Sequence, residues 1–137
     1  MVPKIISGGC HQDARGSLCF NNDFDATAIK RIYVIENVSS EFVRAWRGHQ
    51  IEARWFSAIA GSFAIELIAI DDWDAPSPNL KRMSFQLHST ALDVLHIPAG
   101  YVSSIRALEA GSKLLVMANY ALGELDDEYR FEVGYFQ

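Results

Sequence analysis

Apolar residues in this chain recur in short β-type runs, not on helical stripes. Arg31-Ile-Tyr-Val-Ile is a string of β-branched and aromatic positions entered from the turn-forming segment Asn21-Asn-Asp-Phe-Asp. Arg54–Ala60 and Phe63–Ile70 follow, separated only by Gly61-Ser62, and so tight a junction reads as a hairpin. Asp71–Asn79 carries acids, two prolines and an asparagine, which makes it a loop. Beyond it lie Arg82–Leu87, Asp93–Ile97, Tyr101–Ala107 and Ser112–Tyr120, set apart by His88-Ser-Thr, Pro98-Ala-Gly and Glu109-Ala-Gly. Turn signals roughly every 8–12 residues predict an all-β sandwich or barrel. One helical turn over Glu124–Tyr129 is the only competing pattern. No linker or internal repeat divides the chain, so residues 1–137 are expected to form a single domain.

Composition narrows the function classes. With 137 residues and 50% hydrophobic content, the chain is long enough to bury a core, and intrinsic disorder is excluded. Its longest uncharged stretches, Trp55–Ile65 and Val94–Ile105, fall well short of the about 20 apolar residues that a membrane span requires. The opening MVPKIISGGC has no sustained apolar run of the signal-peptide type, so the expected location is the cytoplasm, with no membrane partner. A net charge of −5 argues against nucleic acid as a partner. Charge is unevenly placed, however: residues 1–54 hold seven of the 12 Lys and Arg. An acidic protein can still own a basic pocket. Cys10 and Cys19 match no zinc spacing and make no disulfide framework, and are read as two small, partly buried thiols.

The densest polar cluster is Arg44-Ala-Trp-Arg-Gly-His-Gln-Ile-Glu-Ala-Arg-Trp-Phe. It reads either as a charged edge strand or as a pocket for an anionic ligand with aromatic walls. Small closed β-barrels hold ligands between their sheets, and strand alternation says which residues share a face there. Arg31, Tyr33 and Ile35 share one; Arg54, Phe56 and Ala58 share another; Arg47 and His49 share a third if that stretch is extended.

Spacing sharpens the pocket reading. A metal-binding cupin carries H-x-H-x(3–4)-E-x6-G on two strands, with a later histidine after a P-x-G turn. Here the register runs Arg47, Gly48, His49, four residues, Arg54, six residues, Gly61, and later Pro98-Ala-Gly-Tyr-Val-Ser103. Arginine and serine cannot make a divalent-metal site at those positions, so no metal is expected. The wider pattern is Asp13-Ala-Arg-Gly-Ser-Leu, Ile29-Lys-Arg-Ile-Tyr, Arg44-x-Trp-x-x-His49, Gly61-Ser and Ile97-Pro-x-Gly-Tyr. Over about residues 10–135 it resembles the sugar 3,4-ketoisomerase family of cupins, the WxcM-like group. It is more distantly similar to the dTDP-4-dehydrorhamnose 3,5-epimerases.

The resemblance implies a cupin jelly roll (a double-stranded β-helix), a homodimer, no cofactor and a nucleotide-sugar pocket. It also implies isomerase or epimerase chemistry on a dTDP-type 4-keto-6-deoxy sugar, in deoxysugar or polysaccharide biosynthesis. The family's R-G-x-H-A-H segment places its second histidine on His49 and its first on Arg47. Its late histidine falls on Val102 or Ser103, its glutamine on Arg54, and its glycine on Ala45. Shifting a carbonyl, or inverting the centre beside it, means removing an α-proton, holding the enolate oxygen and returning a proton. His49 is the expected base, with Arg47 or Arg54 at the enediolate and Tyr33 as the acid; arginine itself can be neither acid nor base. Arg15, Lys30, Arg31, Arg44 and Arg54 are the expected diphosphate and sugar contacts. Trp46 and Trp55 either stack on a ring or are buried between sheets. Glu52 orients His49 or pairs with Arg54. His96 reads as a strand histidine, His11 and His88 as surface residues, and the C-terminal aromatics as a segment docked on the barrel. Set against the enzyme is a binding module that keeps the pocket without the acid/base set.

Overall fold

A computed structural model describes residues 1–137. It contains twelve strands: β1 (Lys4–Ile6), β2 (Gly9–Asp13), β3 (Gly16–Phe20), β4 (Arg31–Ile35), β5 (Val43–His49) and β6 (Arg54–Ala60), then β7 (Ser62–Ala69), β8 (Arg82–His88), β9 (Val94–Ile97), β10 (Tyr101–Ala107), β11 (Lys113–Ala118) and β12 (Glu128–Arg130). Two five-stranded antiparallel sheets, ordered β1-β9-β6-β11-β4 and β12-β5-β10-β7-β8, lie face to face. No helix is long and apolar enough to cross a membrane.

The seven runs read as strands are all strands, but two of their connections differ from expectation. The Arg54–Ala60 and Phe63–Ile70 runs are not a hairpin: β6 pairs with β9 and β11, whereas β7 pairs with β8 and β10 in the other sheet. Gly61 makes this crossing possible. Its φ is +66°, and a Cβ there would sit 2.1 Å from Ser112 Oγ. That hydroxyl accepts from the Ser62 amide and donates to the Glu109 carbonyl, tying the corner down. The second correction concerns Glu124–Tyr129, where there is no helical turn. A turn at Ala121–Glu124 leads into β12, which adds an edge strand beside β5.

Alternation builds the core. Phe63, Ile65, Leu67, Leu87, Leu95, Leu114 and Val116 meet between the sheets with no exposed surface, and Phe56, Ala58, Ile105 and Ala107 close the same cluster. Each large side chain so buried contributes about 1.5–3 kcal/mol. A smaller cluster of Trp46, Ile68, Val102 and Phe136 lies on the back of the β5–β10–β7 sheet. The C-terminal segment covers it, as expected, through Phe131, Tyr135 and Phe136.

The β2–β3 hairpin belongs to neither large sheet. Cys10 and Cys19 face each other across it and are joined in a disulfide, which corrects the reading of two separate thiols. Its polar, largely exposed strands (GCHQD and GSLCF) carry no alternation that would have announced it.

Candidate active site

At one end the sheets part to leave a cavity of about 350 Å³, within the range of small-ligand sites. Tyr33, Ile35, Arg54 and Phe56 enter from the first sheet, and Arg44, Arg47, His49, Tyr101 and Ser103 from the second. Of the three faces foreseen from alternation, Tyr33 with Ile35, Arg54 with Phe56, and Arg47 with His49 line it, whereas Arg31 and Ala58 do not. Strand β5 can bring His49 close to β10 because Gly48 lies between: a Cβ there would be 2.1 Å from the Tyr101 carbonyl oxygen.

His49 is oriented from behind. Its Nδ1 lies 3.1 Å from the Asp127 carbonyl oxygen. A carbonyl can only accept, so Nδ1 carries the hydrogen and Nε2 keeps its lone pair. The Asp127 carboxylate is buried and accepts from the amides of Gln50, Ile51 and Glu52 at 3.1, 2.9 and 2.9 Å. It fixes the bend that follows the histidine. Burial, and then the Arg54 guanidinium, hold the His49 pKa below its ordinary value, against the pull of Glu52 and Asp127. The ring is therefore neutral at pH 7, as a base must be.

Beside it, Arg54 Nε lies 2.9 Å from Glu52 Oε1, as an ion pair whose atoms are not aligned for a hydrogen bond. The two side chains are only 12% and 10% exposed. Arg54 also donates through Nη1 to Tyr33 Oη. At the rim, Arg44 donates to Asn37, and Arg47 stands 3.6 Å from Glu128, a carboxylate held more closely by Arg130 at 2.9 Å. Arg44 and Arg47 are thus the cations with donors free for an anion. Glu52 pairs with Arg54 and also lies 3.9 Å from His49 Nδ1.

The other expected contacts lie elsewhere. Arg15 is at the tip of the β2–β3 hairpin, paired with Asp13 at 2.7 Å. Lys30 is 3.8 Å from Glu124. Arg31 packs on the Tyr33 ring, 4.6 Å from its centroid, and does not line the cavity. Trp46 corrects the stacking expectation. It is 2% exposed on the back of the sheet, edge-on to Phe136, with its indole donating to Val133. Since Arg47 and His49 point inward, period two turns Trp46 outward, so this signal was in the sequence. Trp55 stacks on His96 at 4.9 Å on the outer face of the other sheet. Asp127 was missed, because it acts on residues 75–77 positions away through their backbone.

Comparison with known proteins agrees with this fold. The 3,4-ketoisomerase QdtA from Thermoanaerobacterium thermosaccharolyticum, solved in complex with TDP-4-keto-6-deoxyglucose, superposes with a TM-score of 0.72 at 22% identity, over 97% of this chain and 90% of that one. A 3,4-ketoisomerase from Helicobacter canadensis is 26% identical with a TM-score of 0.66, over 90% of this chain and 89% of that one. The Mycobacterium tuberculosis rmlC epimerase is 15% identical with a TM-score of 0.73, over 94% and 68%. These likenesses make the fold a cupin jelly roll. Among curated proteins nothing matches. Residues 2–133 match the family described as WxcM-like, C-terminal (FdtA), and the chain belongs to that family.

Proposed function

We propose that this protein is an isomerase or epimerase of a nucleotide-activated 4-keto-6-deoxy sugar of the dTDP type. The observation that carries the reading is the placing of a neutral histidine, whose Nδ1 is engaged by a carbonyl, in one cavity with a tyrosine and unpaired arginine donors. His49 Nε2 takes the proton α to the 4-keto group, and the electron pair moves onto the carbonyl oxygen. The Arg47 guanidinium holds the resulting enediolate. Tyr33 Oη returns a proton to carbon. For inversion it goes to the same carbon on its other face; for isomerisation it goes to C4, and the proton of the neighbouring hydroxyl passes to O4 as the carbonyl moves. His49 then gives its proton to solvent, and Arg44 contacts the diphosphate. Trp46 has no part in binding.

The working unit in this reading is a homodimer. On the outer face of the first sheet, Ile32, Val34 and Ile59 are 65%, 51% and 44% exposed. Leu115, partly exposed, lies beside Val34 in the same sheet and extends this apolar surface. Arg15, on the β2–β3 hairpin and outside this chain's own cavity, is assigned to the partner's nucleotide-sugar in this reading; Lys30 and Arg31 support the site from outside. The setting is cytoplasmic assembly of deoxysugar or polysaccharide precursors.

Incubation with TDP-4-keto-6-deoxyglucose, followed by proton NMR, tests the chemistry. New sugar resonances are expected. Saturable binding with an unchanged sugar spectrum would favour the binding-module reading instead. Sedimentation should give twice the chain mass, and Ile32→Lys should return it to the monomer.

A further inference from the structure

We infer that Arg54 is a positioning residue for Tyr33, and not a substrate contact. With Glu52 it makes that phenol the second proton-transfer group of the cavity. This rests on the isomerase reading above and deepens it. A guanidinium has donors and no acceptor. When Arg54 Nη1 donates to Tyr33 Oη, the phenol's own hydrogen cannot return the bond, and it is left for a partner in the cavity. Once the Oη–H bond breaks and the proton passes to substrate carbon, the electron pair stays on Oη against the Arg54 cation. Solvent then restores the proton. Arg31, 4.6 Å from the ring centroid, adds a second cation on the ring's face.

Arg54 is also held too firmly to serve as an anion clamp. Its Nε faces the Glu52 carboxylate at 2.9 Å, and both side chains are about nine-tenths buried. Turning the guanidinium towards a diphosphate would strand that carboxylate in the interior. Arg44 and Arg47, at the rim, face no such constraint. The device belongs to this chain: the family resemblance places glutamine at 54 and histidine at 47. Arg47 cannot carry protons, and the Arg54–Tyr33 pair supplies the group that its histidine would have been.

The test compares Arg54→Gln, Arg54→Lys, Tyr33→Phe and the Arg54→Gln/Tyr33→Phe double variant. Arg54→Gln is expected to lower kcat about 10²-fold, with KM and TDP affinity changed no more than about twofold. Arg54→Lys should recover part of that rate. The double variant should be no slower than Tyr33→Phe alone, because the two residues act as one unit. Loss of TDP affinity by about tenfold with kcat unchanged, or rate losses that multiply, would overturn the inference. Glu52→Gln/Arg54→Gln removes both buried charges and should show the same kcat loss, should the single variant fail to fold. A readout without substrate separates the two levels. The 13Cζ resonance of Tyr33 should move in Arg54→Gln. An unmoved resonance overturns the positioning role even in an active enzyme. A moved resonance with no turnover in wild type would leave the contact standing and sink the isomerase reading.

Discussion

Along β6 the side chains of Arg54, Phe56 and Ala58 point the same way, yet the first faces an open cavity and the last is sealed at 1% exposure. Strand β10 repeats the passage, from Tyr101 and Ser103 at the mouth to Ala107 among Phe63, Leu87 and Leu114. The same strands with the same alternation build a tight core at one end and a charged cavity at the other. What differs is the chemistry at the ends. Apolar residues at the closed end gain stability by losing water, whereas the mouth keeps buried polar groups only where each has a partner: the Arg54 cation with Glu52, the neutral His49 ring with the Asp127 carbonyl.

The comparison predicts opposite responses to truncation. Phe63→Ala at the closed end should cost about 3–5 kcal/mol in a urea unfolding curve. Tyr33→Phe at the mouth should leave stability within about 1 kcal/mol while lowering kcat at least about 10²-fold. Asp127→Ala should blur the contrast, because it leaves three partly buried backbone amides without their acceptor and releases the bend behind His49. About 2–3 kcal/mol of stability should go, together with most of the activity.

A smaller effect follows from pH. His49 is held below its ordinary pKa of 6.5 by burial and Arg54, and His96 by burial and Lys4. A histidine depressed in this way binds fewer protons folded than unfolded. Its contribution is therefore complete above pH 6.5 and is lost as pH falls below that value. Urea midpoints should decline from pH 7 towards 5, less steeply in His49→Asn. The smallest effect is expected outside both regions. Cys10→Ser/Cys19→Ser should leave the unfolding midpoint of the barrel nearly unchanged, because the hairpin they close belongs to neither sheet. A large drop would show that the arm supports the body.

Much of this was legible in the chain, for definite reasons. Tyr33, His49 and Arg54 were recoverable because alternation groups each with the in-step residues of its strand, and the family resemblance set His49 and Tyr33 at proton-transfer positions. The β6–β7 crossing was not, since a two-residue Gly-Ser junction looks alike whether the chain folds back in its own sheet or moves to the opposite one. The β2–β3 strands were silent because exposed hairpins need no hydrophobic period. Strand β12 was read as helix because three residues on a sheet edge carry no pattern of their own. Asp127 escaped because its partners are amides, which have no sequence signature.

The central claim is that His49 abstracts an α-proton, and proton NMR of TDP-4-keto-6-deoxyglucose in deuterium oxide tests it most directly. With wild type the signal of the proton at C3 or C5 should fade, and with His49→Asn, whose side chain is no base, it should persist. A signal that persists with wild type, or fades equally with both proteins, would contradict the account.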